Sequence, residues 1–179
     1  MPPPHYYKQQ VVRGTARDYG LKDLVETGTF LGDMLAAMRD SFDNLTSIEL
    51  SEELYDHVRR RFADDDKITL LQGDSKDRIA EVAASLERPA LFWLDAHYSG
   101  AWHDDFDETA GGDRDKPIYS ELAAIFAKGI PHVVLIDDAR LFDGREGWPR
   151  LDDMLAFIEE SAPERSALIA DDIVRILPA

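Results

Sequence analysis

Leu24-Val25-Glu26-Thr27-Gly28-Thr29-Phe30-Leu31-Gly32-Asp33 is the stretch whose reading decides the fold. An apolar run of strand character ends in an acid, turns through Gly28 and leads into a helical pattern from Leu31. A glycine at such a turn lets a ligand approach the backbone, and the amides that follow can meet an anion at a helix N-terminus. One strand later, Thr46-Ser47-Ile48-Glu49-Leu50 carries a second acid. An acid and a glycine turn after one strand, with an acid after the next, suit a ligand that carries a nucleoside, because a carboxylate accepts from both ribose hydroxyls.

Outward from this stretch, apolar β-branched runs alternate with helical patterns. The alternation predicts strands near 23–27, 45–49, 68–72, 90–95 and 132–137. Between and after them it predicts helices near 31–42, 52–63, 76–86, 118–128 and 151–161, preceded by an opening helix over 7–19 that stops before Gly20. Ser51 is placed to cap the helix of Glu52-Glu53-Leu54, and Arg59-Arg60-Arg61 fall in its last turn, where cations suit the helix dipole. Ser75 is expected to cap the next helix, and Gly129 with Pro131 to end the one begun at Ile118.

Five strands with helical crossovers imply a doubly wound, Rossmann-like α/β fold, a mostly parallel sheet with helices on both faces. The tail departs from that rhythm. Ser166–Ala170, the pair Asp171-Asp172 and Ile173–Leu177 predict a C-terminal antiparallel hairpin on a two-residue turn. A single domain over 1–179 is expected, with an N-terminal arm and helix over 1–20 and an acidic active-site loop over 98–116. That loop is too long for an ordinary connection, and Gly111-Gly112 within it suit a hinge.

Charge and composition narrow the function classes. The 20 basic and 36 acidic residues leave a net charge of −16, which disfavours nucleic-acid substrates. The acids of His103-Asp104-Asp105-Phe106-Asp107-Glu108 read equally as a solvated loop. The absence of cysteine rules out disulfides, thiolate metal sites and cysteine nucleophiles, and fits a reducing compartment. No apolar run approaches a membrane span, and no cationic segment followed by a long apolar one follows Met1. The expectation is a cytoplasmic protein acting on a small molecule, with no nucleic-acid or membrane partner; a homodimer is compatible with the sequence, which leaves the oligomeric state open.

Ligands of such sheets bind outside the carboxyl ends of the strands. Each predicted parallel strand ends in an acid: Glu26, Glu49, Asp74, Asp95 and the pair Asp137-Asp138. The first three ends outline a cofactor site. Gly28, Thr29 and Gly32 form the turn, and Glu26 and Thr27 stand beside it. Glu49 suits ribose hydroxyls, and Asp74 with Ser75 suits an adenine. A dinucleotide would want G-x-G-x-x-G, but Phe30 stands at the middle glycine, so S-adenosylmethionine (SAM) is favoured. The last two ends outline a second site. Asp95, Asp137 and Asp138 suit Mg²⁺ or a similar hard divalent ion, with Asp95 also bordering the cofactor site. The alternative is that the aspartate pair caps the next segment. His97, two residues beyond Asp95, suits general-base work or simple packing. Arg140 and Tyr98 are candidate substrate contacts, and Arg140 reads equally as an ion-pair partner of the aspartates. Phe92 and Trp93 read as core, and His5, His57, His103 and His132 as incidental.

These residues resemble the class I SAM-dependent methyltransferases over most of the chain, from about residue 20 to the hairpin. Glu26-Thr27-Gly28, Gly32 and Asp137-Asp138 are similar to the macrocin-type sugar O-methyltransferases. Trp93–Gly100 with Ile136–Arg140 also resembles a group of uncharacterised bacterial methyltransferases. The macrocin-type resemblance implies a divalent metal and, at the second acid of an Asp-x-Asp, a base; His97 occupies that position here. The expected activity is therefore metal-assisted O-methylation of a small hydroxylated substrate, with Asp95 and His97 catalytic. The alternatives are a metal-independent N- or O-methyltransferase and a SAM- or nucleoside-binding module without turnover. An NAD-dependent dehydrogenase is the weakest.

Overall fold

The computed structural model describes residues 2–95, 118–145 and 148–179. Its strands are β1 (Asp23–Thr27), β2 (Asn44–Glu49), β3 (Ile68–Gln72), β4 (Leu91–Leu94), β5 (Val133–Ile136), β6 (Arg165–Ala170) and β7 (Ile173–Pro178). They form one sheet in the order β3-β2-β1-β4-β5-β7-β6. The pairs among β1 to β5 are parallel, and β7 runs antiparallel to both β5 and β6. The strand order turns at β1, which lies between β2 and β4, and in open α/β sheets the carboxyl ends at such a switch point are where ligands bind. The doubly wound sheet with a closing hairpin is thus the architecture that the alternation predicts.

The helices are α1 (His5–Asp18), α2 (Asp33–Met38), α3 (Glu52–Arg61), α4 (Ser75–Ser85), α5 (Ile118–Phe126) and α6 (Leu151–Ser161), with a short 3₁₀ turn over Ala139–Leu141. They divide by face. Val12, Leu35 and Val58 of α1, α2 and α3 pack with Leu24, Leu91 and Trp93. Ile79, Leu122 and Ile158 of α4, α5 and α6 pack with Val25, Phe92 and Val134. Successive strand residues face opposite sides, so Glu26 and Asp137 share the α1 face with Leu24 and Leu135. Phe92 and Trp93 are core, as expected.

Several ends follow from local chemistry. The Ser51 hydroxyl caps α3 by accepting from the Leu54 amide at 3.4 Å. Gly20, at φ 64°, closes α1, with the Leu21 amide bonded to the Ala16 carbonyl at 2.8 Å. Asp171 and Asp172 have φ of 57° and 62°, the positive values that a two-residue type I′ hairpin turn requires. Two expectations need correction. The cap of α4 is Asp74, whose carboxylate accepts from the Lys76 amide at 3.0 Å; Ser75 is already the first helical residue. And α2 has only 6 residues, because Phe30 (φ 49°) and Gly32 (φ 79°) are left-handed and delay the start that Leu31 predicts. The loop at 98–116, with Gly111-Gly112 and His103, lies outside the described residues. Among the described residues no helix is long and apolar enough to cross a membrane.

Gly32 joins the turn after β1 to α3. A Cβ there would sit 2.8 Å from Phe62 Cε2 on a left-handed backbone. Gly32→Ala is expected to destabilise the protein by about 2–4 kcal/mol, read by urea denaturation, from strained φ and overpacking together. Adding Phe62→Ala should not restore it, because the φ cost stays and a cavity opens. A loss under half a kilocalorie would show that the turn can relax.

Candidate functional site

At the end of β1, Glu26 is buried. Its register partner on β2 is Ser47, whose hydroxyl donates to Glu26 Oε2 at 2.6 Å. The Thr29 hydroxyl lies 2.6 Å from the same Ser47 oxygen. With Glu26 ionised the chain of donors runs Thr29 to Ser47 to Glu26, and with Glu26 protonated it can reverse. Among the described residues no lysine or arginine pairs with Glu26. Burial, with Asp95 and Glu49 nearby, pushes its pKa up to about 8 despite the Ser47 bond.

Glu49 ends β2 and is held by the backbone of the glycine turn. Oε2 accepts from the Phe30 amide at 2.9 Å and Oε1 from the Ser51 amide at 2.9 Å. Burial raises its pKa, and those amides oppose the rise. The left-handed Phe30 is what aims its amide here, and Gly28 turns beside it at φ 80°. Thr27 points to the opposite face; its hydroxyl is buried and makes no hydrogen bond. Asp74 stands past β3, partly engaged in its capping bond. The structure therefore gathers Glu26, Gly28, Thr29 and Glu49 around one turn. Gly32 faces the Phe62 ring instead, and Thr27 faces the other layer.

At the β4 and β5 ends, the pairing of Leu94 with Ile136 sets Asp95 beside Asp137. Asp137 is wholly buried. Its Oδ1 accepts from the Asp138 amide at 2.8 Å, and its Oδ2 accepts from the Lys8 ammonium of α1. Lys8 Nζ also lies 3.3 Å from Asp138 Oδ1. Burial tends to lower the Lys8 pKa, but the hydrogen bond to Asp137 and the charges of Asp137, Asp138 and Asp95 outweigh it and hold it above the ordinary lysine value. Burial, then Asp95, raises the Asp137 pKa against the opposing Lys8. Asp138 is left-handed at φ 55° and meets Arg140 Nη1 at 2.6 Å. Arg140 also bonds Asp172 of the hairpin turn, through its amide at 2.8 Å and its guanidinium. The ion-pair reading of Arg140 is the geometry found.

A divalent ion needs several carboxylate oxygens converging with lone pairs unspent. Here the Asp137 and Asp138 oxygens already meet an ammonium, a guanidinium and an amide, and among the described residues no group of three ligating side chains gathers. The expected Mg²⁺ set of Asp95, Asp137 and Asp138 is thus not assembled. His97 and Tyr98, the expected base and substrate contact, lie outside the described residues. The histidine that is described in the core, His132, sits at the opposite end of the sheet. Its Nδ1 accepts from the Ala90 amide at 3.1 Å, and burial, then Arg165, lowers its pKa to about 4.

Sequence reasoning missed Ser47 and Lys8. Ser47 is a small polar residue at an inward position of a central strand. Lys8 precedes Val12 and Ala16 at spacings of four, on the buried stripe of α1, where a cation needs a partner.

A parallel sheet in this order, closed by an antiparallel β7, is a fold that the chain shares with solved methyltransferases. The chain is similar to the SAH-bound methyltransferase PaMTH1 of Podospora anserina, with TM-score 0.67 and 16% identity over 96% of this chain and 78% of that one. It is similar to an O-methyltransferase of Bacillus cereus in complex with SAH, with TM-score 0.69 and 13% identity over 99% and 83%. It also resembles the O-methyltransferase TomG of Streptomyces achromogenes, involved in tomaymycin synthesis and solved with SAM, at TM-score 0.66 and 14% identity over 99% and 82%. At such identities what is shared is the fold. No protein-family profile matches the chain, and no curated protein does.

Glu26 makes a stability prediction. The folded chain keeps it protonated up to about pH 8, while the unfolded chain ionises it near 4.5, so its contribution is full in acid and is lost as pH rises from 4.5 to about 8. Glu26→Gln, the neutral isostere, is expected to be about 2–4 kcal/mol more stable than wild type in mild alkali without ligand. The difference should vanish in acid. Urea denaturation across that range checks it, and equal stability throughout would mean that Glu26 is ionised and satisfied.

Proposed function

We propose that this chain is a SAM-dependent methyltransferase that transfers a methyl group to an oxygen or nitrogen of a small acceptor, without a divalent metal. The observation that carries the reading is Glu26, a buried carboxylate with no counter-cation among the described residues, beside the Gly28 turn and one strand from Glu49. SAM supplies an ammonium that suits Glu26, ribose hydroxyls that suit Glu49, and an electrophilic methyl on sulfonium sulfur.

The chain's own residues have distinct tasks in this proposal. Glu26 takes the ammonium, with Ser47 and Thr29 orienting its carboxylate. The amides after Gly28 receive the ligand's carboxylate. Glu49, fixed by the Phe30 and Ser51 amides, accepts from the ribose, and Asp74 with Ser75 borders the adenine. Asp95 stands between the two sites. His97 is proposed to take the acceptor's proton as the new bond to carbon forms and the carbon–sulfur bond breaks. Tyr98 and the loop over 98–116 are proposed to meet the acceptor. The net charge of −16 favours a small acceptor over a nucleic acid. The narrower likeness to sugar O-methyltransferases rests on sequence residues alone.

The binding test uses the protonation of Glu26. In the free chain its pKa is about 8. A ligand ammonium pairs with the ionised form, so binding SAM near neutral pH should release a proton. SAM affinity should rise by at least about tenfold from mild acid to mild alkali and then level. Calorimetry in two buffers of different ionisation enthalpy measures the proton directly. Binding without proton release would remove Glu26 from the site, and no binding at all would sink the cofactor reading. Glu49→Gln is expected to weaken SAM by about tenfold, the usual loss of one charge-assisted hydrogen bond. Turnover is read as SAH formed with a panel of hydroxyl and amine acceptors; bound SAM with no SAH from any acceptor would reduce the protein to a binding module.

A further inference from the structure

Asp95 and Asp137 stand side by side on adjacent parallel strands, with Asp138 next along the chain. Like charges packed in a poorly solvated pocket cannot all ionise without a cation among them. That cation is present, and it belongs to the protein. Lys8 reaches across 129 residues of sequence from the first helix and bonds Asp137 Oδ2. Its ammonium also stands 3.3 Å from Asp138 Oδ1, and its side chain is only 13% exposed. Arg140 satisfies Asp138 from the other side and ties it to Asp172.

We propose that Lys8 is the resident cation of this centre, a tethered ammonium that neutralises and orients Asp137 and Asp138 and excludes a divalent ion from them. Three features support it. Lys8 lies on the inward stripe of α1, one turn from the fully buried Val12, so helix packing delivers its ammonium to the pocket. The oxygens of Asp137 are both engaged, one by Lys8 and one by the Asp138 amide. And the neighbouring Tyr7 lies near Asp171 of the hairpin turn, whose carboxylate raises its pKa, so the start of α1 meets acids at two places. An ammonium offers three donors along fixed directions and takes no ligands of its own. A centre built around it therefore holds carboxylates in place but does not gather acceptor oxygens as an open metal would. Lys8 is a positioning residue in this account, acting through Asp137 and Asp138.

The test is Mn²⁺ binding by the full chain, without SAM or acceptor, measured by calorimetry and by the electron-spin signal of free Mn²⁺. Because no cofactor is present, its outcome is independent of the methyl-transfer reading, and failure of that reading leaves this result standing. Wild type and Lys8→Arg are expected to show no specific Mn²⁺ site. Lys8→Met should gain one, at least about tenfold tighter than any wild-type binding, because Asp137 then has no cation beside it and Asp138 keeps only Arg140. Adding Asp137→Asn should abolish the gain. Two results would overturn the proposal: wild type binding Mn²⁺ as tightly as Lys8→Met in a way that Asp137→Asn removes, or a folded Lys8→Met that gains nothing. Should Lys8→Met fail to fold, amine acetylation of wild type decides. Lys8 should be the least reactive lysine with or without millimolar Mg²⁺. A several-fold rise in its labelling on adding Mg²⁺ would show that the metal displaces it, and the proposal would fall.

Discussion

A carboxylate taken out of water must acquire a cation, a set of donors or a proton, and this fold places acids at the ends of all its central parallel strands. The structure meets that constraint in three ways. Glu49 takes two backbone amides, which fixes the turn between β1 and α2 around it. Asp137 and Asp138 take an ammonium and a guanidinium carried in from α1 and the 3₁₀ turn. Glu26 has a serine hydroxyl and otherwise keeps a proton. The third solution differs in kind, since a proton can be exchanged for a charged ligand while a tethered lysine cannot leave its helix. The two halves of the sheet's carboxyl edge thus have opposite characters, one neutralised by the chain's own cations and one by a proton.

The opposite ends of the strands show what purely structural solutions look like. Asp23 opens β1 with a two-point bond to Arg88, at 2.6 and 2.7 Å, and a third from Asn44 at 2.7 Å, and the Arg88 bond holds its pKa below the ordinary value. Arg165 stacks on Phe126 and donates to the Ile130 carbonyl at 2.8 Å, close to His132. Every strong charge there has a partner from the chain itself. At the carboxyl ends, by contrast, the described residues give Glu26 a serine hydroxyl and Glu49 two backbone amides, and neither acid a cation.

Most of the architecture was legible because strands and amphipathic helices write their periods into the sequence. The 23–27 and 68–72 runs, the Ser51 cap and the Asp171-Asp172 turn are local signals, and each reappears in the structure. Legibility failed where tertiary contacts choose between local options. Leu31 belongs to a good helical pattern, but Glu49 captures the Phe30 amide and Gly32 packs on Phe62, so the helix starts later. Asp74 and Ser75 are both competent caps, and the backbone places the acid there. In the site, the acids announced themselves by position, whereas their partners did not. Lys8 and Ser47 matter through residues distant in sequence, and only their inward placement on a helix stripe and a central strand marked them. The expected metal followed from counting acids without asking which of the chain's own cations would reach them.

The reach of Lys8 also orders events in time. α1 is synthesised ahead of every strand of the sheet, and the acids that receive its ammonium are made more than 120 residues later. Val12 and Ala16 can pack on Leu24 and Trp93 without β5, but the buried-stripe lysine has no partner until β5 is in place. The contact ties a helix made early to strand ends made late, so its full strength is available only once both are in place.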